Sequence, residues 1–414
     1  MYHIHDHCRA CGAGVHAPGS KAAVSNALVP VLDLGLQPLA NDFKRAEEEH
    51  CGYAPLKVMW CTKCGLAQLS VVVNPSVLYS NYPYVTSHSR TMFQHFEKLR
   101  EDILGEATMA NSVLEVGSND GTLLAFLKDN PFTTVLGCDP AENLCKKAND
   151  RGVPTFCGLF TPDNCDCKKA KDVVIARHVM CHIDNWKEFV KALDMVTHDE
   201  SLVVIEVPYY KDMINARSWD QVYHEHLSYM SIGAMQALLK DSPFWINEVA
   251  HYAIHGGAIV MFLRKVGSKR MNTEGVDNWI VDELNSREEW TELAKAKDGM
   301  VIDLFNLVHQ LREKGKRVVG YGASAKSTVW INQCFFTNKN LDYVVDCTLE
   351  KQYRLSPGTN IPIVPDGMLT ADMPDYAICF AWNFATEIIE KESLFKKAGG
   401  KWIIPVPKVQ IYEP

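Results

Sequence analysis

Residues 113–124 read VLEVGSNDGTLL, which is an apolar run, then a glycine-rich turn, then the start of a helix-like segment. The apolar run predicts a buried strand, and Gly117 and Gly121 let backbone amides approach a ligand at the start of the next helix. Helix-like segments separate it from further apolar runs at 134–138, 172–176 and 202–207. Because strands that alternate with helices form βαβ units, the stretch predicts an α/β fold on a parallel, Rossmann-like sheet.

The pattern changes on the carboxyl-terminal side of these units. HYAIHGGAIVMFLRK (251–265) predicts two strands around a Gly-Gly bend, which would form an antiparallel edge of the same sheet. Residues 268–316 are charged and helix-prone, and a second strand–helix alternation runs from RVVGYGAS (317–324) to WIIPV (402–406). We therefore expect a second, smaller Rossmann-like unit behind a helical connector.

Size and composition exclude several classes of protein. A chain of 414 residues, 47% apolar and 22% charged, has room for two or three folded domains at roughly 150 residues each. A formal net charge of −8 argues against nucleic acid as a general partner. The sequence shows no signal-peptide core and no apolar run long enough for a bilayer, so we expect no membrane association and a cytoplasmic location.

The cysteines point to a metal. CRACG (8–12) and CTKCG (61–65) are two Cys-x-x-Cys-Gly knuckles, in which a two-residue spacer lets both sulfurs face one ion. Four thiolates form a closed tetrahedral site, so we expect one structural Zn²⁺ on Cys8, Cys11, Cys61 and Cys64. The alternatives are two redox pairs or unliganded thiols. Cys51 is a spare, and Cys157, Cys165 and Cys167 are interpreted as ordinary thiols.

The glycine-rich turn also indicates a cofactor. The G-x-G-x-x-G pattern of nicotinamide sites is absent, whereas Glu-x-Gly-x-x-x-Gly is typical of S-adenosylmethionine methyltransferases. Asp139 ends the next apolar run about twenty residues later, where a carboxylate can hold two ribose hydroxyls. The candidate cofactor residues are Glu115, Gly117, Asn119, Asp120, Gly121 and Asp139.

Two stretches carry groups that can move protons. Tyr223, His224, Glu225 and His226 are consecutive in QVYHEHLSYMS (221–231). ARHVMCHID (176–184) follows a predicted strand and so reaches the ligand crevice at its carboxyl end. If that segment is helical, its two histidines, four residues apart, share one face; a zinc pair there lacks a third ligand, so one catalytic histidine is the better reading.

A fourth motif, VVGYGASAKST (318–328), resembles a phosphate-binding loop. Ala325 stands where the second glycine of G-x-x-x-x-G-K-[ST] belongs, which makes a nucleotide triphosphatase doubtful. A glycine-rich turn with Lys326 at a helix start still suits a diphosphate. The alternative is a plain strand-to-helix turn.

Together these pieces resemble the C-methyltransferases that act on nucleotide-linked ketosugars in deoxysugar biosynthesis. The resemblance covers essentially the whole chain and adds these segments in order: LGLQPLANDF (34–43), CGLAQL (64–69), YPYVTSHS (82–89), HGGA (255–258), PGTNIPI (357–363) and AWNFATEI (381–388). The sequence departs from the family at Ser324 and Ser327, where Pro and Gly are frequent, and at Ala258, where Ser is common.

The resemblance implies a zinc-binding cap (1–80), a methyltransferase domain (81–267), and a connector with a nucleotide-sugar-binding Rossmann-like domain (268–414). It implies an active-site set with His226 as the base, namely Tyr84, His182, Tyr223, Glu225 and His226. The residues expected on the substrate side are His224, His255, Tyr321, Ser324, Lys326 and Asn383. His224 can equally be structural.

The implied reaction explains why acid and base groups crowd together. A 4-ketosugar yields a carbon nucleophile when a base removes the proton beside the ketone and donors stabilise the enolate oxygen. The expected substrate is a dTDP- or GDP-type sugar, methylated at C3 by a monomer or homodimer. Rival readings are an O- or N-methyltransferase, a zinc scaffold with a degenerate methyltransferase fold, and a nicotinamide enzyme.

Overall fold

The computed structural model describes nine stretches of the chain, namely residues 1–14, 27–79, 90–107, 110–128, 134–164, 169–254, 256–268, 276–283 and 286–412. Tyr84, Cys165, Cys167 and His255 lie outside the described residues. Within these stretches the strands form four sheets.

The amino-terminal part consists mainly of antiparallel strands. Its elements are β1 (Tyr2–Ile4), β2 (Leu28–Pro38), β3 (Tyr53–Cys61), β4 (Ala67–Leu69), β5 (Val71–Val73) and α1 (Pro75–Tyr79). β1 pairs with β5 as a ribbon, while β2, β3 and β4 pair in sequence order. Since β3 ends at Cys61, the sheet carries the second cysteine knuckle at its end.

The central part contains the predicted Rossmann-like sheet. Its elements are α2 (Arg90–Glu106), β6 (Ser112–Val116), α3 (Thr122–Lys128), β7 (Thr134–Asp139), α4 (Glu142–Asp150), β8 (Thr155–Cys157), β9 (Lys171–Arg177), α5 (Trp186–Met195), β10 (Thr197–Pro208), α6 (Tyr210–Asn215), β11 (Ser228–Tyr229), α7 (Ile232–Leu239), β12 (Phe244–Tyr252) and β13 (Ala258–Lys265). Seven of these strands form one sheet in the order β12-β13-β10-β9-β6-β7-β8.

All four predicted apolar runs are strands of this sheet, and β6 to β10 run parallel within it. The pair β12 and β13 is antiparallel and forms the expected edge. The inner strands are buried on both faces, as a parallel sheet covered by helices requires. The α/β fold class is confirmed.

The carboxyl-terminal part forms the second, smaller α/β unit. Its elements are α8 (Val276–Asp282), α9 (Ser286–Glu313), β14 (Val318–Tyr321), α10 (Ala325–Gln333), β15 (Val344–Asp346), β16 (Ile363–Pro365), α11 (Gly367–Asp372), β17 (Tyr376–Cys379), α12 (Ala385–Lys391), α13 (Ser393–Lys397), β18 (Lys401–Ile404) and β19 (Gln410–Tyr412). The sheet order is β16-β15-β14-β17-β18-β19, with only β19 antiparallel to its neighbour.

One strand joins the first two parts. β11, from the middle of the chain, pairs with β4 and completes the amino-terminal sheet. The Arg9 guanidinium strengthens this junction, because Nη1 donates to the carbonyls of Leu69 and Leu227 at 3.3 Å each. The segment just before β11 therefore has a fixed position between the amino-terminal sheet and the central domain.

The last part docks on the same structure through α10. Thr328 Oγ1 donates to the Ala40 carbonyl at 2.8 Å, and Gln333 Nε2 donates to the Leu34 carbonyl at 2.8 Å. The Trp330 ring packs against Trp219 of the central part, with ring centroids 4.4 Å apart. All three parts of the chain thus meet around residues 219–229.

Gly358 tests how closely the first and last parts are packed. Its φ is 77°, and a Cβ there would lie 2.4 Å from Asn332 Oδ1 and 2.9 Å from Pro38 Cγ. We expect Gly358→Ala to lower the free energy of unfolding by about 1–3 kcal/mol, because both the backbone and the contact become strained. Denaturant unfolding followed by tryptophan fluorescence measures the change. Gly367→Ala is the control, since a Cβ at Gly367 meets nothing within 4 Å; equal unfolding curves for the two variants would contradict the close packing.

Candidate active site

A cavity of about 490 Å³ opens at the carboxyl ends of β6, β7, β9 and β10, which is where ligands bind in open α/β sheets. Its size suits a small-molecule ligand. Its wall includes Tyr79 from the amino-terminal part and Lys326 from the last domain. From the central domain it includes Gly117, Asn119, Asp139, His182, Tyr223 and His226. The residues predicted to bind the cofactor, called here the cofactor edge (Gly117, Asn119 and Asp139), therefore share one cavity with the predicted acid/base group (His182, Tyr223 and His226).

The loop after β6 has the shape that its glycines predicted. Gly117 has a φ of 67°, and a Cβ there would lie 2.1 Å from Val179 Cγ2, so only glycine fits. Asp139 holds this loop in place, because its two carboxylate oxygens accept from the amides of Asn119 and Ala141 at 2.9 Å each. Burial raises the pKa of Asp139, and the two amide hydrogen bonds oppose that shift. A cradle that a Cβ would fill, next to a carboxylate, fits the ribose end of S-adenosylmethionine.

Two other predicted cofactor residues face away from the cavity. Glu115 is fully buried below the loop, where Arg177 Nε donates to its Oε1 at 2.8 Å. Burial raises the pKa of Glu115 to about 7, although Arg177 opposes the shift. Asp120 accepts from Thr122 Oγ1 and Arg151 Nη1, both at 2.6 Å. These contacts shape the loop from behind, so a direct cofactor contact by either side chain stays a prediction.

Tyr223 and His226 form a hydrogen-bonded pair on the cavity wall. The Tyr223 hydroxyl lies 2.6 Å from His226 Nε2, and His226 Nδ1 lies 2.9 Å from the Gln221 carbonyl oxygen. Because a carbonyl only accepts, Nδ1 carries the proton and Nε2 offers a lone pair to the tyrosine hydroxyl. Burial and the neighbouring His182 hold the pKa of His226 well below its ordinary value. His226 is therefore a neutral imidazole with its basic nitrogen toward Tyr223.

His182 completes this group. Its ring centroid lies 5.3 Å from that of His226 and 5.8 Å from that of Tyr79, with which it stacks. Burial, with a smaller effect of His178, lowers the pKa of His182 to about 3, so it too is neutral. A neutral imidazole can donate one hydrogen bond to a ligand oxygen.

The helical arrangement considered for His178 and His182 does not form. His178 follows β9 with a φ of 53°, and His182 ends a separate 3₁₀ turn, Met180–His182. His178 Nε2 instead lies 3.3 Å from the buried Glu206 carboxylate, which also contacts His95 Nε2 at 2.7 Å. Burial disfavours the charge on Glu206, but these two histidines hold its pKa well below the ordinary value. Sequence reasoning missed this network, because Glu206 lies within an otherwise apolar strand.

His224 and Glu225 point toward the amino-terminal sheet. His224 Nε2 lies 3.2 Å from the Ala54 carbonyl, and burial lowers its pKa to about 4. Glu225 Oε2 accepts from Asn41 Nδ2 at 3.1 Å, and burial raises its pKa to about 7 against the effect of Asn41. Neither side chain is part of the cavity wall, so their contacts are structural here and a substrate role stays a prediction.

Of the predicted residues of the last domain, Lys326 reaches the cavity. Its Nζ donates to Asn383 Oδ1 at 2.9 Å and lies 4.6 Å from the centroid of the Trp382 ring. Ser324 caps α10 by accepting from the Ser327 amide at 3.3 Å. The Tyr321 hydroxyl points into the domain core and donates to Glu392 Oε1 at 2.8 Å.

Several wall residues carry no sequence signal. Tyr79, Arg177 and Gln221 line the cavity, and Asp220 is buried behind it. Arg177 and Gln221 lie within the two stretches that carry the predicted proton-moving groups, and Asp220 immediately precedes the second one, so position in or next to these stretches was the available clue.

The four predicted zinc ligands come together at the end of β3. Cys8 Sγ lies 3.4 Å from Cys64 Sγ, Cys11 Sγ lies 3.7 Å from Cys61 Sγ, and all four sulfurs are within 4.8 Å of one another. Tetrahedral Zn²⁺ with Zn–S bonds of about 2.3 Å needs sulfurs about 3.8 Å apart. Both knuckles turn in the same way, since the Gly12 and Gly65 amides donate to the Cys8 and Cys61 carbonyls at 2.9 Å. The residues fit a closed, structural zinc site.

No helix in the described part of the chain has the length and apolar character needed to cross a membrane.

Comparison with known proteins gives three family matches. A zinc-binding domain matches residues 23–79, a methyltransferase domain matches residues 88–247, and a C-methyltransferase C-terminal domain matches residues 253–407. The C-methyltransferase NovU of Streptomyces niveus is 30% identical over 419 residues, covering 98% of this chain and 96% of NovU.

Solved structures resemble part of the chain. The PH0226 protein from Pyrococcus horikoshii OT3 gives a TM-score of 0.37 at 13% identity, covering 47% of this chain and 97% of its own. Magnesium protoporphyrin IX methyltransferase from Synechocystis PCC 6803, with bound SAM, gives a TM-score of 0.34 at 12% identity, covering 42% and 79%.

Asp139 is the residue by which the cofactor edge can be tested. We expect Asp139→Ala to weaken S-adenosylmethionine binding by about 2–4 kcal/mol, because hydrogen bonds to a charged group are lost. Isothermal titration calorimetry with S-adenosylmethionine measures the change. Asp150→Ala is the control, because Asp150 is an exposed carboxylate on α4. Unchanged affinity in Asp139→Ala would show that the ribose is held elsewhere.

Proposed function

The chain belongs to the family of S-adenosylmethionine-dependent C-methyltransferases with a zinc-binding domain, and on this premise we propose that it methylates a nucleotide-linked 4-ketosugar at C3. The observation that carries the proposal is the neutral Tyr223–His226 pair in the same cavity as the cofactor edge. Carbon methylation needs a base beside the methyl donor, and this pair supplies one.

His226 acts as the base in this proposal. The ketosugar displaces the Tyr223 hydroxyl from His226 Nε2, which frees the lone pair to take the proton from the carbon beside the ketone. The C–H electron pair moves into the enolate, and the negative charge develops on the ketone oxygen. His226 then carries the proton as an imidazolium, whose Nδ1–H stays on the Gln221 carbonyl.

Tyr223 and His182 stabilise that charge. The released Tyr223 hydroxyl turns to the ketone oxygen, and the neutral His182 donates its ring N–H to the same atom. Donors fixed in a buried cavity are effective because they need no reorganisation as the charge appears. Tyr84 belongs to the same set by resemblance and stays a prediction.

S-adenosylmethionine supplies an electrophilic methyl group when it is bound. Asp139 and the loop at Gly117 would hold it at the same cavity as the acid/base residues, and holding both reactants in one cavity favours the transfer. The zinc site takes part in no chemical step of this proposal. Its role is structural, because one ion would join the two knuckles of the cap through Cys8, Cys11, Cys61 and Cys64.

The nucleotide part of the substrate extends toward the last domain. Lys326 offers a cation on the cavity wall to the diphosphate, and the turn at Ser324 lies at the start of the same helix. The nucleotide is of the dTDP or GDP type. Cysteines that bind zinc must stay reduced, which favours a reducing compartment and suits a cytoplasmic biosynthetic enzyme.

A screen of nucleotide 4-ketosugars with S-adenosylmethionine tests the function. Mass spectrometry is expected to show the gain of one methyl group, and NMR of the product is expected to place it on carbon beside the ketone. A methyl group on oxygen or nitrogen would overturn the proposed chemistry.

His226→Ala tests the base directly. We expect methyl transfer to fall by about 10²–10⁴, because no general base remains, while both ligands still bind. In D₂O the wild type should exchange the proton beside the ketone and the variant should not, as followed by NMR. Tyr223→Phe should retain part of the activity, and His251→Ala, an exposed histidine, is the control. If His226→Ala exchanges the proton at the wild-type rate, the base is another residue.

The low pKa of His226 predicts the acid side of the pH profile. A base must be unprotonated, and a folded pKa well below the ordinary value of 6.5 keeps His226 unprotonated under mildly acidic conditions. The rate should therefore stay constant as the pH falls through 6.5 and decline only at lower pH. Initial rates of methyl transfer between pH 5 and pH 8, under saturating substrates, check this. A decline centred near pH 6.5 would mean that the base has an ordinary pKa.

A further inference from the structure

Asp220 is a buried carboxylate directly ahead of the Tyr223–His226 pair. It lies in the 3₁₀ turn Trp219–Gln221 and has no exposed surface. Its Oδ2 accepts from Trp330 Nε1 at 2.9 Å and from Trp382 Nε1 at 2.7 Å. Both tryptophans belong to the last domain, so one carboxylate oxygen joins the catalytic segment to that domain.

One of these two tryptophans, Trp382, also contacts the cation on the cavity wall, Lys326. Lys326 precedes Trp330 by four residues on α10, so the two side chains share one face of the helix. Lys326 Nζ lies 4.6 Å from the centroid of the Trp382 ring, whose N–H points to Asp220. The carboxylate at the edge of the indole and the ammonium over its face both polarise the ring favourably. Trp382 thus connects an anion and a cation that belong to different domains.

The charges of these two groups depend on each other. Burial raises the pKa of Asp220 and lowers that of Lys326, and in each case the attraction of the other group opposes the shift. The other titratable groups that act on Lys326 are the Cys379 thiol and the His226 imidazole. Asp220 is therefore the one carboxylate, among the described residues, that acts on the half-buried Lys326 ammonium.

Asp220 is also under-satisfied. Its Oδ1 is buried and has no hydrogen-bond partner among the described residues. A buried carboxylate is costly unless it is compensated, and the two indole N–H groups and Lys326 supply that compensation for Asp220. An aspartate is favoured over a neutral residue at position 220 if its negative charge acts on a neighbouring group.

We propose that Asp220 is a positioning residue that, through Trp382 and through its own charge, keeps Lys326 in place and protonated on the cavity wall. Docking of the last domain takes the Lys326 ammonium partly out of water, and Asp220 offsets the cost of that desolvation, so the docked lysine keeps its charge. The inference rests on the proposed function in one respect, which is that the substrate carries a negative charge.

Asp220→Asn tests the charge, because asparagine has the same shape and still offers an oxygen to the indoles. Loss of the carboxylate should let Lys326 lose its proton at lower pH, so the alkaline decline of kcat/KM should move down by about one pH unit or more. KM for the nucleotide sugar should rise more than kcat falls. In a Lys326→Met background, Asp220→Asn should change KM no further.

Asp346→Asn is the matched control. Asp346 is also a buried carboxylate, but it belongs to the last domain and lies 3.9 Å from Lys351 Nζ. This variant should leave the alkaline decline unchanged. An equal shift in both variants would overturn the proposal, since it would reflect general destabilisation.

A readout without turnover separates this proposal from the proposed function. Brief labelling of the full-length protein with acetic anhydride at a series of pH values, followed by mass spectrometry, gives the pH at which Lys326 becomes reactive. That pH should be lower in Asp220→Asn than in the wild type, even if no ketosugar is methylated. An unchanged labelling profile would overturn the role of Asp220 whatever the substrate is. If Asp220→Asn does not fold, Trp382→Phe removes the N–H but keeps the ring, and a smaller shift in the same direction is expected.

Discussion

The pairing of β11 with β4 is the contact on which the active site depends. The segment at 220–227 has little regular structure of its own, and a polar loop of this kind would ordinarily be mobile. Here β11 ties its end into the amino-terminal sheet, and Arg9 bridges the carbonyls on both sides of the junction. His224 and Glu225 then bond to residues of that sheet region, which leaves Tyr223 and His226 facing the cavity. The opposite directions of the two middle side chains and the two flanking ones follow from this attachment.

Burial sets the electrostatics of the cavity. His182 and His226 are neutral because desolvation disfavours their charged forms, and each lies close to another imidazole. A neutral imidazole can serve as base or donor without first losing a proton to solvent. Two buried carboxylates lie behind the wall, where Glu115 pairs with Arg177 and Glu206 contacts two histidines. Because both carboxylates have partners behind the wall, they hold the neighbouring loops in place. The cavity itself stays open for the charge that develops on the substrate.

Much of this could be predicted from the sequence, for physical reasons. Long apolar runs such as 172–176 and 202–207 have to be buried on both faces, which identifies the inner strands of a parallel sheet. The doubled cysteine knuckles and the position of Asp139 could be predicted because they depend on the spacing between residues that are close in the chain, and that spacing can be read directly from the sequence. Short strands were missed, because β16 and β19 have three residues each and their pairing depends on neighbours distant in the chain. The directions of Glu115, His224 and Glu225 could not be predicted either, since a turn does not specify which side of a loop a side chain takes. The role of Asp220 could not be predicted for a different reason, which is that both of its indole partners lie more than a hundred residues away in the chain.

The strand that completes the amino-terminal sheet also has a consequence for synthesis of the protein. As the chain leaves the ribosome, β2, β3 and β4 emerge first, but the edge of β4 stays unpaired until residue 229 has followed. An exposed strand edge invites pairing with other chains. The first eighty residues therefore lack one strand of their sheet until then, and a fragment that stops ahead of β11 is expected to be less stable than the same residues in the full chain. The amino-terminal sheet is therefore completed only after β6 to β10 of the central sheet have been made, and before β12 and β13 have followed.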